Sequence, residues 1–103
     1  MKRVEEFHRE DKRRTAYSLH QSGIIQQRKG NYKEAEKLYS KSLEIFEELS
    51  DKPGIASSLH QLGMIQQEKG HYEEAEKFYK DSSEILKDLG DMLGVAISLH
   101  LLG

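Results

Sequence analysis

TAYSLHQSGIIQQRKGNYKEAEKLYSKSLEIFEELSDKPG, residues 15–54, is followed without a gap by IASSLHQLGMIQQEKGHYEEAEKFYKDSSEILKDLGDMLG, residues 55–94. About 23 of the 40 aligned positions are identical, and VAISLHLLG, residues 95–103, opens a third copy. Self-similarity at a fixed period of this size marks a chain built by stacking one supersecondary unit on the next. The function of such a chain is sought on a surface.

Each copy reads as two amphipathic helices joined by a tight turn. In the second copy Ile55, Ala56, Leu59, Leu62, Gly63 and Gln66 recur at spacings of three and four, and only Gln66 among them is polar. Gly70 closes this helix, because glycine takes the left-handed conformation of a helix C-terminus at little cost. The next helix presents Tyr72, Ala75, Phe78, Tyr79, Ile85 and Leu86 for burial. In the first copy Asn31, with Glu34 three residues on, has the spacing of a capping box. Asp51 is placed to cap the following helix, Pro53 is tolerated in its first turn, and Asp11 and Asp91 stand at matching places. These signals predict five helices, near 11–29, 32–50, 53–69, 72–89 and 92–102, and no strand.

Gly23 and Gly63 fall inside helices, where glycine costs about 1 kcal/mol against alanine. The same cost at the same place in both copies predicts a close approach by the neighbouring helix, with Ala35 and Ala75 as the reciprocal small positions.

Leu59, Leu62-Gly63, Gly70, Tyr72, Ala75 and Tyr79 together resemble the tetratricopeptide repeat, as do Leu19, Gly23, Gly30, Tyr32, Ala35 and Tyr39 in the first copy. The resemblance covers residues 15–103 and is to the long variant, since the unit is about six residues longer than the usual 34. It implies an all-α fold of antiparallel helix pairs stacked as a right-handed α-solenoid, about two and a half repeats long. Repeat 1 is 15–54, repeat 2 is 55–94, a partial repeat 3 is 95–103, and 1–14 is a charged N-terminal extension. Two departures from the family pattern predict a more polar seam. Gln26 and Gln66 stand where an aromatic is usual, and Ser42 and Ser82 where alanine is usual.

Composition narrows the partners. Sixteen basic residues against 18 acidic ones leave a net charge of −2, which favours neither nucleic acid nor an anionic membrane. There is no cysteine, so disulfides and thiolate zinc sites are excluded, and a reducing cytoplasm is the expected compartment. MKRVEEFHREDKRR has no apolar stretch behind its charges and does not read as a signal peptide, and no run approaches a membrane span. With Val4 and Phe7 as its only apolar anchors, and acidic residues offsetting the basic ones, this segment reads as a solvated extension of the first helix.

His20, His60 and His100 are equivalents in successive copies and suggest a row. Packed helices lie roughly 8–10 Å apart whereas zinc needs ligands at about 2 Å, so no metal or other cofactor is expected. The row is either a copied polar ladder or part of a ligand surface. Acidic runs such as Glu47-Glu48 and Glu73-Glu74 read as solvated helix faces, and no phosphate-cradling loop is present, so no catalytic residue is assigned.

The resemblance implies a concave groove, formed by the first helix of each repeat, that binds a peptide or helix of a protein partner. Carried onto this sequence its lining is Tyr17, His20, Gln21, Ile24, Gln27 and Arg28 in the first copy. The second copy supplies Ser57, His60, Gln61, Met64, Gln67 and Glu68, and the third Ile97, His100 and Leu101. Family members that grip a C-terminal carboxylate use Lys, Asn and Arg here; the His, Gln, Ile and Met of this chain suit a mixed apolar and hydrogen-bonding ligand. The alternative is a self-assembly module without a separate ligand. The sequence stops within the third copy, so Leu93, Val95, Leu99 and Leu102 are expected at an uncovered edge that drives a homo-oligomer, most simply a two-fold dimer.

Overall fold

The computed structural model describes residues 2–90, with 2–7 described by their backbone alone. The expected fifth helix, the partial third repeat and the edge leucines lie outside the described residues. Among those residues the chain forms four α-helices and no strand: α1 (Lys2–Arg28), α2 (Tyr32–Glu48), α3 (Lys52–Glu68) and α4 (Tyr72–Asp88). The chain divides after Asp51 into two compact units, with α2 folded back on α1 in the first and α4 on α3 in the second.

The turns are built as the glycines predicted. Gly30 and Gly70 each have φ +84°. In both, the next residue's amide reaches back to the first helix, Asn31 N–H to Gln26 O at 2.9 Å and His71 N–H to Gln66 O at 2.8 Å. The glycine amides themselves bond Gln27 O and Gln67 O at 3.0 Å. This pair of bonds satisfies carbonyls that a helix end would otherwise leave open.

The capping box at Asn31 does not form. Its side chain makes no cap hydrogen bond; Nδ2 instead donates to Gln26 Oε1 at 2.8 Å. In the second unit His71 Nδ1 lies 3.0 Å from Gln66 Oε1, again with no side-chain cap. These pairings explain the glutamines that replace the family's aromatic: each ties the turn to the end of its first helix.

The serines at the other departure also have a task. Ser42 Oγ donates to Ala16 O and Ser82 Oγ to Ala56 O, both at 2.9 Å and both buried. Each unit thus carries the same hydroxyl bridge between its two helices, among Ala16, Ala35 and Tyr39 in one and Ala56, Ala75 and Tyr79 in the other.

The mid-helix glycines make room for a ring rather than for a backbone. A Cβ on Gly23 would stand 2.8 Å from Cε1 of Tyr39, and one on Gly63 only 2.7 Å from Cε1 of Tyr79. Ala35 and Ala75 are buried, as small packing positions should be. The expected reciprocity with the glycines is replaced by a tyrosine lying across each one.

Helix α1 starts at Lys2, well before the expected residue 11, and its added turns are tied to the end of α2. Arg9 Nη2 donates to Leu49 O at 2.9 Å, Lys12 Nζ pairs with Glu48 at 3.2 Å, and Arg13 Nε with Asp51 at 3.2 Å. Cations at a helix C-terminus meet the negative end of the dipole and the open carbonyls. From Arg9 onward the segment is helical and largely exposed, as a solvated extension should be, and its cations also clasp the end of α2.

Candidate functional site

Three first-helix residues in each unit surround the buried tyrosine. In unit 1 the His20 and Tyr39 rings lie 5.2 Å apart between centroids, Gly23 faces the ring, and Tyr39 Oη donates to Gln27 Oε1 at 2.7 Å. In unit 2 His60 lies 5.4 Å from Tyr79, Gly63 faces that ring, and Tyr79 Oη donates to Gln67 Oε1 at 2.7 Å. Positions i, i+3 and i+7 share one helix face, which is why a His-x-x-Gly-x-x-x-Gln spacing can hold one ring. Burial pushes the pKa of His20 and His60 below the ordinary histidine value. Burial, and then the charge of Glu68, pushes the Tyr79 phenol up.

A third of the expected groove in these units, His20, Gln27, His60 and Gln67, is thus committed elsewhere. His20 is buried, with 8% of its surface exposed, and Gln27 and Gln67 spend their carbonyl oxygens on tyrosines. His60 is half-buried. What remains on α1 is Tyr17, Gln21, Ile24 and Arg28, a stripe at helical spacing in which Ile24 is half-buried and the others exposed. Tyr17 packs edge-on against Phe46 at 5.2 Å while staying open to solvent. The α3 stripe is Ser57, Gln61, Met64 and Glu68, exposed at its ends and half-buried between. Ile97, His100 and Leu101 lie outside the described residues.

One feature of the surface was not foreseen. Tyr72, expected in the core, is 69% exposed, and with Met64, Gln67 and Glu68 it lines an open depression of about 410 Å³. Tyr72 is the first residue of α4, two positions past the glycine stop, and its counterpart Tyr32 at the start of α2 is half-buried. The helix-start position is common to both tyrosines and so gives no signal of the exposure.

Among the described residues no group of three or more His, Asp or Glu side chains is arranged to hold a metal ion. No helix there is long and apolar enough to cross a membrane.

Two tandem helix pairs, each with glycine-stopped turns and a tyrosine seated on a mid-helix glycine, define an α-helical repeat protein. The sequence profile of the tetratricopeptide repeat matches residues 12–88, and the chain belongs to that family, whose members generally mediate protein–protein interactions and are typically non-catalytic. No curated protein matches the chain at a significant level.

Proposed function

We propose that this chain is a non-catalytic interaction module that holds a peptide or helix of a protein partner against the exposed stripes of its first helices. The observation that carries the reading is the division of labour on α1 and α3. One row of side chains builds the tyrosine seat, while the neighbouring row, Tyr17, Gln21, Ile24 and Arg28 with its counterpart in α3, faces outward and mixes apolar with hydrogen-bonding groups. Such a mixture suits an amphipathic segment. A reducing cytoplasm is the compartment this reading assumes.

The experiment is affinity capture with the wild-type chain beside Ile24→Glu and Met64→Glu, and beside Lys37→Glu as a change on a second helix. A partner lost from both stripe variants and kept by Lys37→Glu is the expected result. Retention by all four proteins overturns the stripe as the binding surface.

Self-association is the second reading, favoured by Leu89, the C-cap residue of α4, with 44% of its surface exposed. Light scattering coupled to size exclusion decides it. A chain that captures only itself and runs as a dimer supports assembly, and a monomer at high concentration removes it.

A further inference from the structure

The depression at the α3–α4 turn has a composition that selects its ligand. Met64 supplies a flexible thioether wall and Tyr72 an exposed ring. The Gln67 oxygen is held at 2.7 Å by Tyr79 Oη, so the polar part of the lining is fixed in place. Glu68 brings a full negative charge, and among the described residues no cation pairs with it. Its field is felt on the helix behind, where it contributes to raising the Tyr79 phenol. An apolar hollow with one unneutralised carboxylate and one open aromatic face complements a cation on an aliphatic stem.

The first copy is an internal control. Its equivalent residues are Ile24, Gln27, Arg28 and Tyr32, so the glutamine and tyrosine are kept while the charge is reversed and the flexible methionine becomes a branched isoleucine. The same architecture that suits a cation in unit 2 repels one in unit 1.

We propose that Met64, Gln67, Glu68 and Tyr72 form a subsite for one arginine side chain of the partner segment. The proposal rests on the interaction-module reading and names a chemistry for it. The stem lies along Met64, and the guanidinium stacks on Tyr72 and pairs with the Glu68 carboxylate. Arginine fits better than lysine because a planar guanidinium stacks on a ring and bonds a carboxylate through two donors at once. An exposed pair of this kind sets register and selectivity more than total affinity.

Methionine-methyl NMR on the full chain tests this with small probes, because Met64 is one of only three methionines. The probes are N-acetyl-arginine methylamide, the norleucine analogue with a comparable stem and no charge, and the glutamate analogue. The expected result is a saturable shift of the Met64 methyl with the arginine probe at millimolar concentration. Binding should weaken about fivefold in Glu68→Gln, the worth of one exposed ion pair. Glu68→Arg should transfer the preference to the glutamate probe. A methyl that does not move, that moves equally with norleucine, or that is unaffected by Glu68→Gln overturns the subsite. If the capture experiment finds a stripe-dependent partner while Met64 ignores arginine, only the subsite falls. If the probe binds and no partner depends on the stripe, the interaction reading falls instead.

Discussion

The two units are copies that share the seat around one tyrosine and differ around it. Ile25 is 53% exposed where Ile65 is buried, exposed Ser22 stands where Leu62 is buried, and core Phe46 becomes half-buried Leu86. Three further differences bear on what each unit shows. Ala16, His20, Gly23, Gln27, Ala35, Tyr39 and Ser42 recur as Ala56, His60, Gly63, Gln67, Ala75, Tyr79 and Ser82, and each recurrence keeps its job. The hydroxyl bridge is 2.9 Å in both and the tyrosine–glutamine bond 2.7 Å in both. The first difference is the clasp. The long α1 reaches the last turn of α2, where Leu49 is 4% exposed, whereas α3 begins at Lys52 without such an extension and Leu89 stands open. The second is the turn that ends each unit, formed by Ser50 in one and Gly90 in the other. The third is the charge beside the α1–α2 and α3–α4 turns, Arg28 against Glu68. The positions that build the tyrosine seat and the hydroxyl bridge were copied unchanged, while Arg28 against Glu68 alters what each pair shows to its surroundings.

The hardest test of the shared interior is steric. Gly23→Leu and Gly63→Leu each drive a side chain into a ring that is itself buried and hydrogen-bonded. Each is predicted to destabilise by about 3 kcal/mol through overpacking, while the exposed Lys69→Ala stays within about 0.5 kcal/mol of wild type. Urea unfolding monitored by circular dichroism measures all three. A mild Gly23→Leu beside a severe Gly63→Leu would break the equivalence of the two seats.

Next in size is the hydroxyl bridge. Ser42→Ala and Ser82→Ala each remove one buried hydrogen bond and are predicted to cost about 1 kcal/mol apiece. Ser58 gives the contrast, because its buried hydroxyl has no hydrogen-bond partner among the described residues. Ser58→Ala should be neutral or stabilising by the same denaturation assay. A loss at Ser58 equal to that at Ser42 would show that side-chain volume, rather than the bond, is what matters at these serines.

The sequence made the helix pairs legible and left the use of individual polar residues closed. Copied apolar spacing and the stops at Gly30 and Gly70 place α2, α3 and α4 within one or two residues of where they lie. The segment before residue 11 reads as an extension of the first helix, and Arg9, Lys12 and Arg13 do fall on one helix face, but nothing local names their partners. Those partners, Leu49, Glu48 and Asp51, lie some 40 residues away in the chain. For the candidate site, the family resemblance assigns His20 and Gln27 to the groove, whereas both side chains engage Tyr39 of α2. It could not tell a groove position from a seat for Tyr39, since that depends on where the second helix directs its ring. Tyr72 differs in the converse sense, an aromatic that spacing assigns to the core and the structure leaves 69% exposed.

The histidine pair links stability to pH. Burial holds the pKa of His20 and His60 below the usual 6.5, so the unfolded chain takes up these protons more readily than the folded one. The stability they allow is therefore present above about pH 6.5 and is lost as pH falls through the depressed folded values. The melting temperature should drop between about pH 7 and pH 5. The drop should be smaller in the His20→Gln/His60→Gln protein. Parallel pH profiles for the two proteins would remove these histidines from the linkage.

The smallest expected effect separates the two unit-ending turns. Ser50 has φ +53° and its counterpart Gly90 φ +76°, so both occupy the left-handed region, but only one is the residue that enters it freely. In each turn the residue's amide bonds a carbonyl three residues back, Ser50 to Glu47 O at 3.0 Å and Gly90 to Lys87 O at 2.9 Å. The bond is therefore common to both, and side-chain strain is what differs. Relieving it at Ser50 is worth about 1–2 kcal/mol on the scale of a left-handed L-residue, and the greater freedom of glycine in the unfolded chain offsets about 0.5–1 kcal/mol. Ser50→Gly should thus stabilise by roughly 0.5 kcal/mol, a rise of about 2–4 °C in melting temperature for a domain of this size. Gly90→Ser should cost a similar amount by differential scanning calorimetry. If Ser50→Gly instead lowers the melting temperature, the serine hydroxyl contributes more to that turn than its backbone strain removes, and the two turns differ in kind.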